Sequence, residues 1–211
     1  MNALQTLEQG ITALGLSLPA DAPARLLAFG QLLIKWNKVY NLTAIRDEAQ
    51  VVSHHLLDSL SVLPQLDGIT RLVDVGSGGG LPGVVLAICR PDLQVDSVET
   101  VQKKATFQNQ AKIELKLPNF RAHHARIENW RPAYAPDAPD GIISRAFADL
   151  ADFVNLTAHL AGPDTRILAM KGVYPADEIA RIPQGFVLDA SLPLHVPGLD
   201  AERHLIIVKR T

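Results

Sequence analysis

Asp74, Gly76, Gly78, Gly80 and Gly83 follow one another at short spacings between two apolar runs, Leu72 to Val75 and Val84 to Cys89. A strand that turns through glycines into a helix lets the backbone approach a ligand with no Cβ in the way. The unpaired N–H groups at the helix start then point at that ligand. Such loops hold nucleotide-type molecules. Two registers coexist here: Gly78-x-Gly80-x-x-Gly83 has the dinucleotide form, and Asp74-x-Gly76-x-Gly78-x-Gly80 has the form used by S-adenosylmethionine (SAM) enzymes. In the dinucleotide form the first glycine closes the strand, whereas this strand should end at Gly76, two residues too early. Asp74 favours the second form as well. A carboxylate within an apolar strand must be hydrogen-bonded, and it can organise the turn around an ammonium or sulfonium group. SAM is the expected cofactor; a nicotinamide-type oxidoreductase or a nonenzymatic nucleotide sensor is the alternative.

Further candidates lie where later strands should end, because ligands of such folds sit outside the carboxyl ends of the strands. Glu99 stands at the spacing from which an acid accepts ribose hydroxyls, although a glutamate capping the next helix would have the same spacing. Ile127 and Glu128 can bracket an adenine ring with a backbone N–H and a carboxyl group. Arg145 follows the apolar run Gly141-Ile142-Ile143 and is read as a positioning group. Missing residues narrow the reaction. Ser144-Arg145-Ala146-Phe147 stands where enzymes methylating exocyclic amines carry Asn/Asp-Pro-Pro-aromatic, and the single cysteine, Cys89, lies on the wrong helix for a pyrimidine C5 nucleophile. A guanine N7 offers an unprotonated lone pair, so methylating it needs positioning and electrostatics but no general base. His54, His55, His123 and His124 make a poor metal set, since adjacent histidines point in different directions. No metal is expected. His55, Asp58 and Ser59 share one helical face, opposite Val52, Leu56 and Leu60.

Positioning these residues requires an alternating fold. Leu4, Leu7, Ile11 and Leu14, then Phe29, Leu33, Trp36 and Tyr40, recur at helical spacing. Asp47 and Glu48 open a third helix, with Val52, Leu56, Leu60 and Leu63 as its stripe and Pro64 as its stop. These form an N-terminal helical extension over 1–65, followed by one compact unit over 66–211. Strands are expected near 71–76, 94–99, 120–126, 141–146, 166–171, 186–194 and 204–210, and helices near 83–89, 102–116, 149–161 and 175–181. Alternation implies a mostly parallel sheet covered on both faces. The last two strands, joined through Pro193, Pro197 and Gly198, have no room for a crossover and should pair antiparallel. The expected class is α/β: a seven-stranded, Rossmann-like sheet of the class I SAM-methyltransferase type, its last strand antiparallel, with a helical cap. Residues 131–139 read as a proline-rich surface loop.

The chain has 211 residues, 47% of them hydrophobic, which suits one domain with a small extension. Apolar runs are far shorter than a membrane span and the first residues lack a signal pattern, so a cytoplasmic protein without a membrane partner is expected. A net charge of −2 means that polyanion binding must use a local patch. Lys35, Lys38 and Arg46, interleaved with Trp36 and Tyr40, form one candidate, and Lys103 and Lys104 another, the latter followed by Lys112, Lys116, Arg121 and Arg126.

Asn41-Leu42-Thr43-Ala44-Ile45, His55-Leu56-Leu57-Asp58-Ser59-Leu60, the whole loop Asp74 to Gly83, Ile143-Ser144-Arg145-Ala146-Phe147-Ala148, Met170-Lys171-Gly172 and Glu202-Arg203-His204-Leu205 together resemble the RsmG (GidB) family over nearly the whole chain. The resemblance implies a SAM-dependent rRNA guanine-N7 methyltransferase acting on a guanosine in the 530 loop of 16S rRNA. Naked rRNA, a partly assembled particle and the whole small ribosomal subunit are all open as its partner, and a monomer is expected. Gly76, Leu81, Ile127, Glu128 and Arg145 stand at positions matching the family's SAM contacts, with Asp74, Gly78 and Gly80 in the same loop. Glu99 stands where the family often has Asp, Lys104 replaces a common Arg, and the 131–139 loop is longer than usual. The resemblance gives His55, Asp58 and Ser59 a structural or RNA-facing role.

Overall fold

A computed structural model describes residues 2–211. Helix α1 (Ala3–Ala13) opens with a reciprocal cap, the Asn2 side chain accepting from the Gln5 N–H while the Gln5 side chain accepts from the Asn2 N–H. Helix α2 (Ala22–Tyr40) has proline in its first turn and ends where Asn41 turns left-handed at φ 49°. Its buried stripe is Ala22, Leu26, Phe29, Leu33 and Asn37. The expected stripe through Trp36 and Tyr40 is therefore shifted: Tyr40 is exposed and stacks on Trp36 at 5.1 Å between ring centroids.

The third helix departs further from expectation. Asp47 caps it through the Gln50 N–H as expected. Its middle, Val52–Leu57, is a π-helical segment between α3 (Glu48–Val51) and α4 (Asp58–Leu60). The wider turn abolishes a simple two-faced helix. His55, Asp58 and Ser59 are as buried as Leu56 and Leu60, so the opposite-face reading is wrong and these polar groups lie inside the protein. π segments are rare and occur often at functional sites.

The sheet comprises β1 (Arg71–Val75), β2 (Gln94–Glu99), β3 (Phe120–His124), β4 (Gly141–Arg145), β5 (Arg166–Lys171), β6 (Phe186–Pro193) and β7 (His204–Arg210). Their spatial order is β3-β2-β1-β4-β5-β7-β6. Strand β7 inserts antiparallel between β5 and β6, and the other neighbouring pairs are parallel. The β6–β7 register shifts between Leu188 and Ala190. Strand order reverses between β1 and β4, which opens a crevice at the carboxyl end of β1.

Helices α5 (Gly83–Cys89), α6 (Gln102–Glu114), α7 (Leu150–Thr157) and α8 (Ala176–Ile179) complete the layers. One core joins the N-terminal helices and α5 and α6 to Leu72, Val95, Phe120, Ile143 and Leu168. The other buries Phe153 and Val154 of α7 against Val73, Val98 and Ile142. Strand β1 is buried on both sides for this reason. Phe107 of α6 meets Phe29 and Trp36 of α2 at 6.3 and 5.6 Å, so the helical cap shares its core with the sheet. Strand and helix ends fall up to four residues inside the expected limits; the 149–161 helix, for example, ends at Thr157. In the 131–139 loop Tyr134 lies under the Arg71 guanidinium at 4.8 Å, its hydroxyl buried.

Candidate active site

The glycine loop leaves β1 at Gly76 and closes on α5. Gly76 and Gly78 have φ of +69° and +56°, and no atom lies within 4 Å of where a Cβ would stand on either. That open side is the space a ligand can fill. Gly83 is required for a different reason: a Cβ there would be 2.6 Å from Asp74 Oδ2, the oxygen that accepts the Gly83 N–H at 2.8 Å. Asp74 thereby ties the strand to the start of α5. Its Oδ1 is buried without a partner, and burial raises its carboxyl to about 7. A cation bound over the loop would draw this group into its ionised form.

Glu99 ends β2 beside the loop. Oε2 accepts the Gly78 N–H at 2.8 Å and keeps a further lone pair, whereas Oε1 accepts the Val101 N–H at 2.8 Å and the Thr100 hydroxyl at 3.4 Å. Ser77, Ser97 and Gln108 form a buried network beneath it. The serine hydroxyls bond each other, Ser97 donates to Gln108 Oε1 at 2.6 Å, and Gln108 Nε2 donates to the Gly78 carbonyl at 2.9 Å. The sequence marks this support only faintly, through Ser97 within the buried strand β2 and Gln108 on the buried side of α6 with Ala105 and Ala111. Leu81 is buried in the core and its N–H donates to the Ser77 carbonyl at 2.9 Å, so its position is inside the turn. Ile127 is buried in a short 3-10 turn, Ile127–Asn129, whereas Glu128 is half-exposed and accepts from Arg126 Nε at 2.7 Å. That bond, after one from its own backbone, lowers the Glu128 carboxyl below the ordinary range.

At the end of β4, Arg145 reaches the helical cap. Its Nη1 donates to Asp58 Oδ2 and to the His54 carbonyl, both at 3.1 Å. Asp58 Oδ1 accepts from Arg203 Nε at 2.8 Å, so one buried carboxylate joins two guanidiniums. His55 lies against Arg145 and exchanges a hydrogen bond with Thr43 Oγ1 at 2.8 Å; burial, aided by the Arg145 charge, pushes its imidazole down to about 4. Asn37 fixes the same turn by accepting the Thr43 N–H and donating to the Ile45 carbonyl. Arg203 belongs to the Glu202-Arg203-His204-Leu205 motif, and its pairing with Asp58 has no local signature. Ala146 follows at φ 61°, a conformation that costs an alanine on the order of 1 kcal/mol. Lys171 Nζ is held by Glu178 at 2.6 Å and the Phe147 carbonyl at 3.0 Å, and Glu178 also accepts the Leu150 N–H. These groups surround a cavity of about 370 Å³ beside the glycine loop's end of the sheet.

Lys35, Lys38 and Arg46 are exposed near the end of α2, with Lys103 exposed and Lys104 half-exposed in the first turn of α6. The Trp36–Phe107 contact runs the two helices side by side. Among the described residues, none of the five pairs with a carboxylate. Among the same residues, no group of three or more His, Cys, Asp or Glu side chains could hold a metal, and no helix is long and apolar enough to cross a membrane.

The backbone is similar to those of TrmN from Thermus thermophilus (TM-score 0.59, 17% identity, 76% of this chain and 53% of that one) and of the O-methyltransferase TomG from Streptomyces achromogenes (TM-score 0.59, 13% identity, 100% and 99%). At such identities the likeness is one of fold. Sequence likeness is much closer. Proteins called ribosomal RNA small subunit methyltransferase G are 63% identical in Aromatoleum aromaticum (97% of this chain, 98% of that one), 60% in Azoarcus sp. (97% and 95%) and 49% in Neisseria meningitidis (100% of each). The family model GidB, rRNA small subunit methyltransferase G, matches residues 23–206, and the chain belongs to that family.

Proposed function

We propose that this protein methylates N7 of a guanosine in the 530 loop of 16S rRNA, taking the methyl group from SAM, in the cytoplasm and as a monomer. The observation that carries the cofactor assignment is the loop itself: open space over Gly76 and Gly78, in a turn whose preceding strand carries a buried Asp74 oxygen without a partner. A sulfonium and ammonium ligand fits that arrangement by charge and by shape. Glu99 accepts the ribose hydroxyls, and the Ile127–Glu128 turn borders the adenine. The loop backbone from Gly76 to Leu81 shapes the methionine end.

Bound over the glycine loop, SAM would supply an electrophilic methyl group on a sulfonium that leaves as a neutral thioether, which an unprotonated N7 lone pair can accept without a base. No proton moves. The chain's part is placement and exclusion of water. Arg145, a positioning residue, joins the end of β4 to the cap through Asp58, and His55 stays neutral beside it, adding no third positive charge. Lys35, Lys38, Arg46, Lys103 and Lys104 hold the RNA backbone by charge.

Labelled methyl transfer to 16S rRNA, presented free and in small subunits, with the product nucleoside identified, tests the reading. N7-methylguanosine in the 530 loop is expected. Calorimetry showing tight binding of a nicotinamide dinucleotide and none of SAM would overturn it.

A further inference from the structure

The cavity between the β4 and β5 ends has a feature on its rim that the cofactor loop does not use. Val173 and Tyr174 follow Gly172, one of its lining residues, and are 75% and 46% exposed. Together they form a small adjacent apolar pair next to a cavity lined by both charged and apolar side chains. The Tyr174 ring is not loose. It meets His204 edge-on, with centroids 5.7 Å apart and planes at 70°, and His204 Nδ1 is hydrogen-bonded to the Gly172 carbonyl at 2.8 Å. The ring is thus held on one side by His204 while about half of the residue stays in solvent.

Inside the cavity, Lys171 is committed to Glu178 and the Phe147 carbonyl. Arg203 spends Nε on Asp58 and Nη1 on the Glu202 carbonyl, which leaves Nη2 without a protein acceptor among the described residues. A purine carrying a carbonyl at C6 satisfies that donor, whereas adenine presents an amino group there. Its N7 is left unbonded, as methylation demands.

Building on the function proposed above, we propose that this cavity receives the target guanine and that Tyr174 stacks the neighbouring nucleobase of an unpaired RNA strand. A base stacked within a helix has neighbours on both faces and must leave the stack to enter a cavity, and an aromatic ring beside it compensates for the lost stacking whatever the neighbouring base is.

The test compares Tyr174→Ala and Tyr174→Trp with the parent in steady-state methyl transfer to small subunits carrying unmodified 16S rRNA. Tyr174→Ala should raise KM for the subunit about 10-fold while SAM affinity and the thermal midpoint stay at parental values. Tyr174→Trp should restore KM, and its indole fluorescence should be quenched when a single-stranded RNA of the target sequence binds. An unchanged KM in Tyr174→Ala, or a rise that Trp does not restore, overturns the stacking role. Failure of the parent itself to methylate would instead overturn the function on which the proposal rests.

Discussion

The Arg145 guanidinium meets the Asp58 carboxylate at 3.1 Å across the seam between the last parallel strand pair and the helical cap. Asp58 is 3% exposed and also holds Arg203, so the seam closes on one carboxylate. Removing one partner of a buried ion pair leaves a charge without compensation, which costs about 3 to 5 kcal/mol. Asp58→Ala, which strands two guanidiniums, should lose stability in that range by urea unfolding. Arg145→Ala leaves Asp58 with Arg203 and should lose less. It should lower methyl transfer by more than its stability loss accounts for. Equal small losses in both variants would mean that the pair is solvated.

The loop predicts a separation of folding from binding. Gly78→Ala puts a methyl group into open space, so no clash with protein follows; the positive φ alone costs about 1 kcal/mol. SAM affinity measured by calorimetry should fall at least 10-fold. Undiminished affinity would move the cofactor away from this turn.

Two buried groups should give opposing pH dependences. His55 is held near 4, below the ordinary 6.5, so the folded state binds fewer protons between those values and stability from this group is lost as pH falls through them. Asp74 is held near 7, above the ordinary 3.8, so the folded state binds more protons and stability is lost as pH rises through that window. Relative to the parent, Asp74→Asn should therefore gain stability as pH rises, reaching about 1 kcal/mol or more at pH 8. His55→Gln should gain relative stability as pH falls from 6.5 to 4. Thermal melts across pH 4 to 8 read both differences, and slopes of the other sign would refute the burial argument.

The basic side chains predict a salt effect. Reversing the charge of Lys103 and Lys104 should weaken rRNA binding, leave SAM affinity unchanged, and reduce the slope of log K against log salt by about 0.7 to 0.9 per lost phosphate contact. A filter-binding titration that gives the parental slope would show these residues to be a solvated helix start.

What the sequence shows and what it hides divides by distance along the chain. The strand, the glycine turn and α5 are legible because Asp74, the glycines and their apolar flanks lie within one short segment. The antiparallel end of the sheet is legible from loop length alone. By contrast, Val52, Leu56 and Leu60 fit an ordinary helical period, and no residue type marks the i→i+5 bonds that widen the turn at Val52–Leu57. Asp58 finds its partners 87 and 145 positions away, where no spacing rule reaches. Ser97 and Gln108 fall between these cases, since a polar side chain on a buried face asks for a partner without naming it.

The meeting of Phe29 and Trp36 with Phe107 also sets an order in time. The cap is synthesised first, yet the side chain that covers these two rings is added about seventy residues after Trp36, roughly 4 to 14 s later at ordinary elongation rates. Through that interval the emerging cap can pack its own helices and α5, but the Phe29 and Trp36 rings wait for Phe107, so this part of the core closes only once α6 has been made.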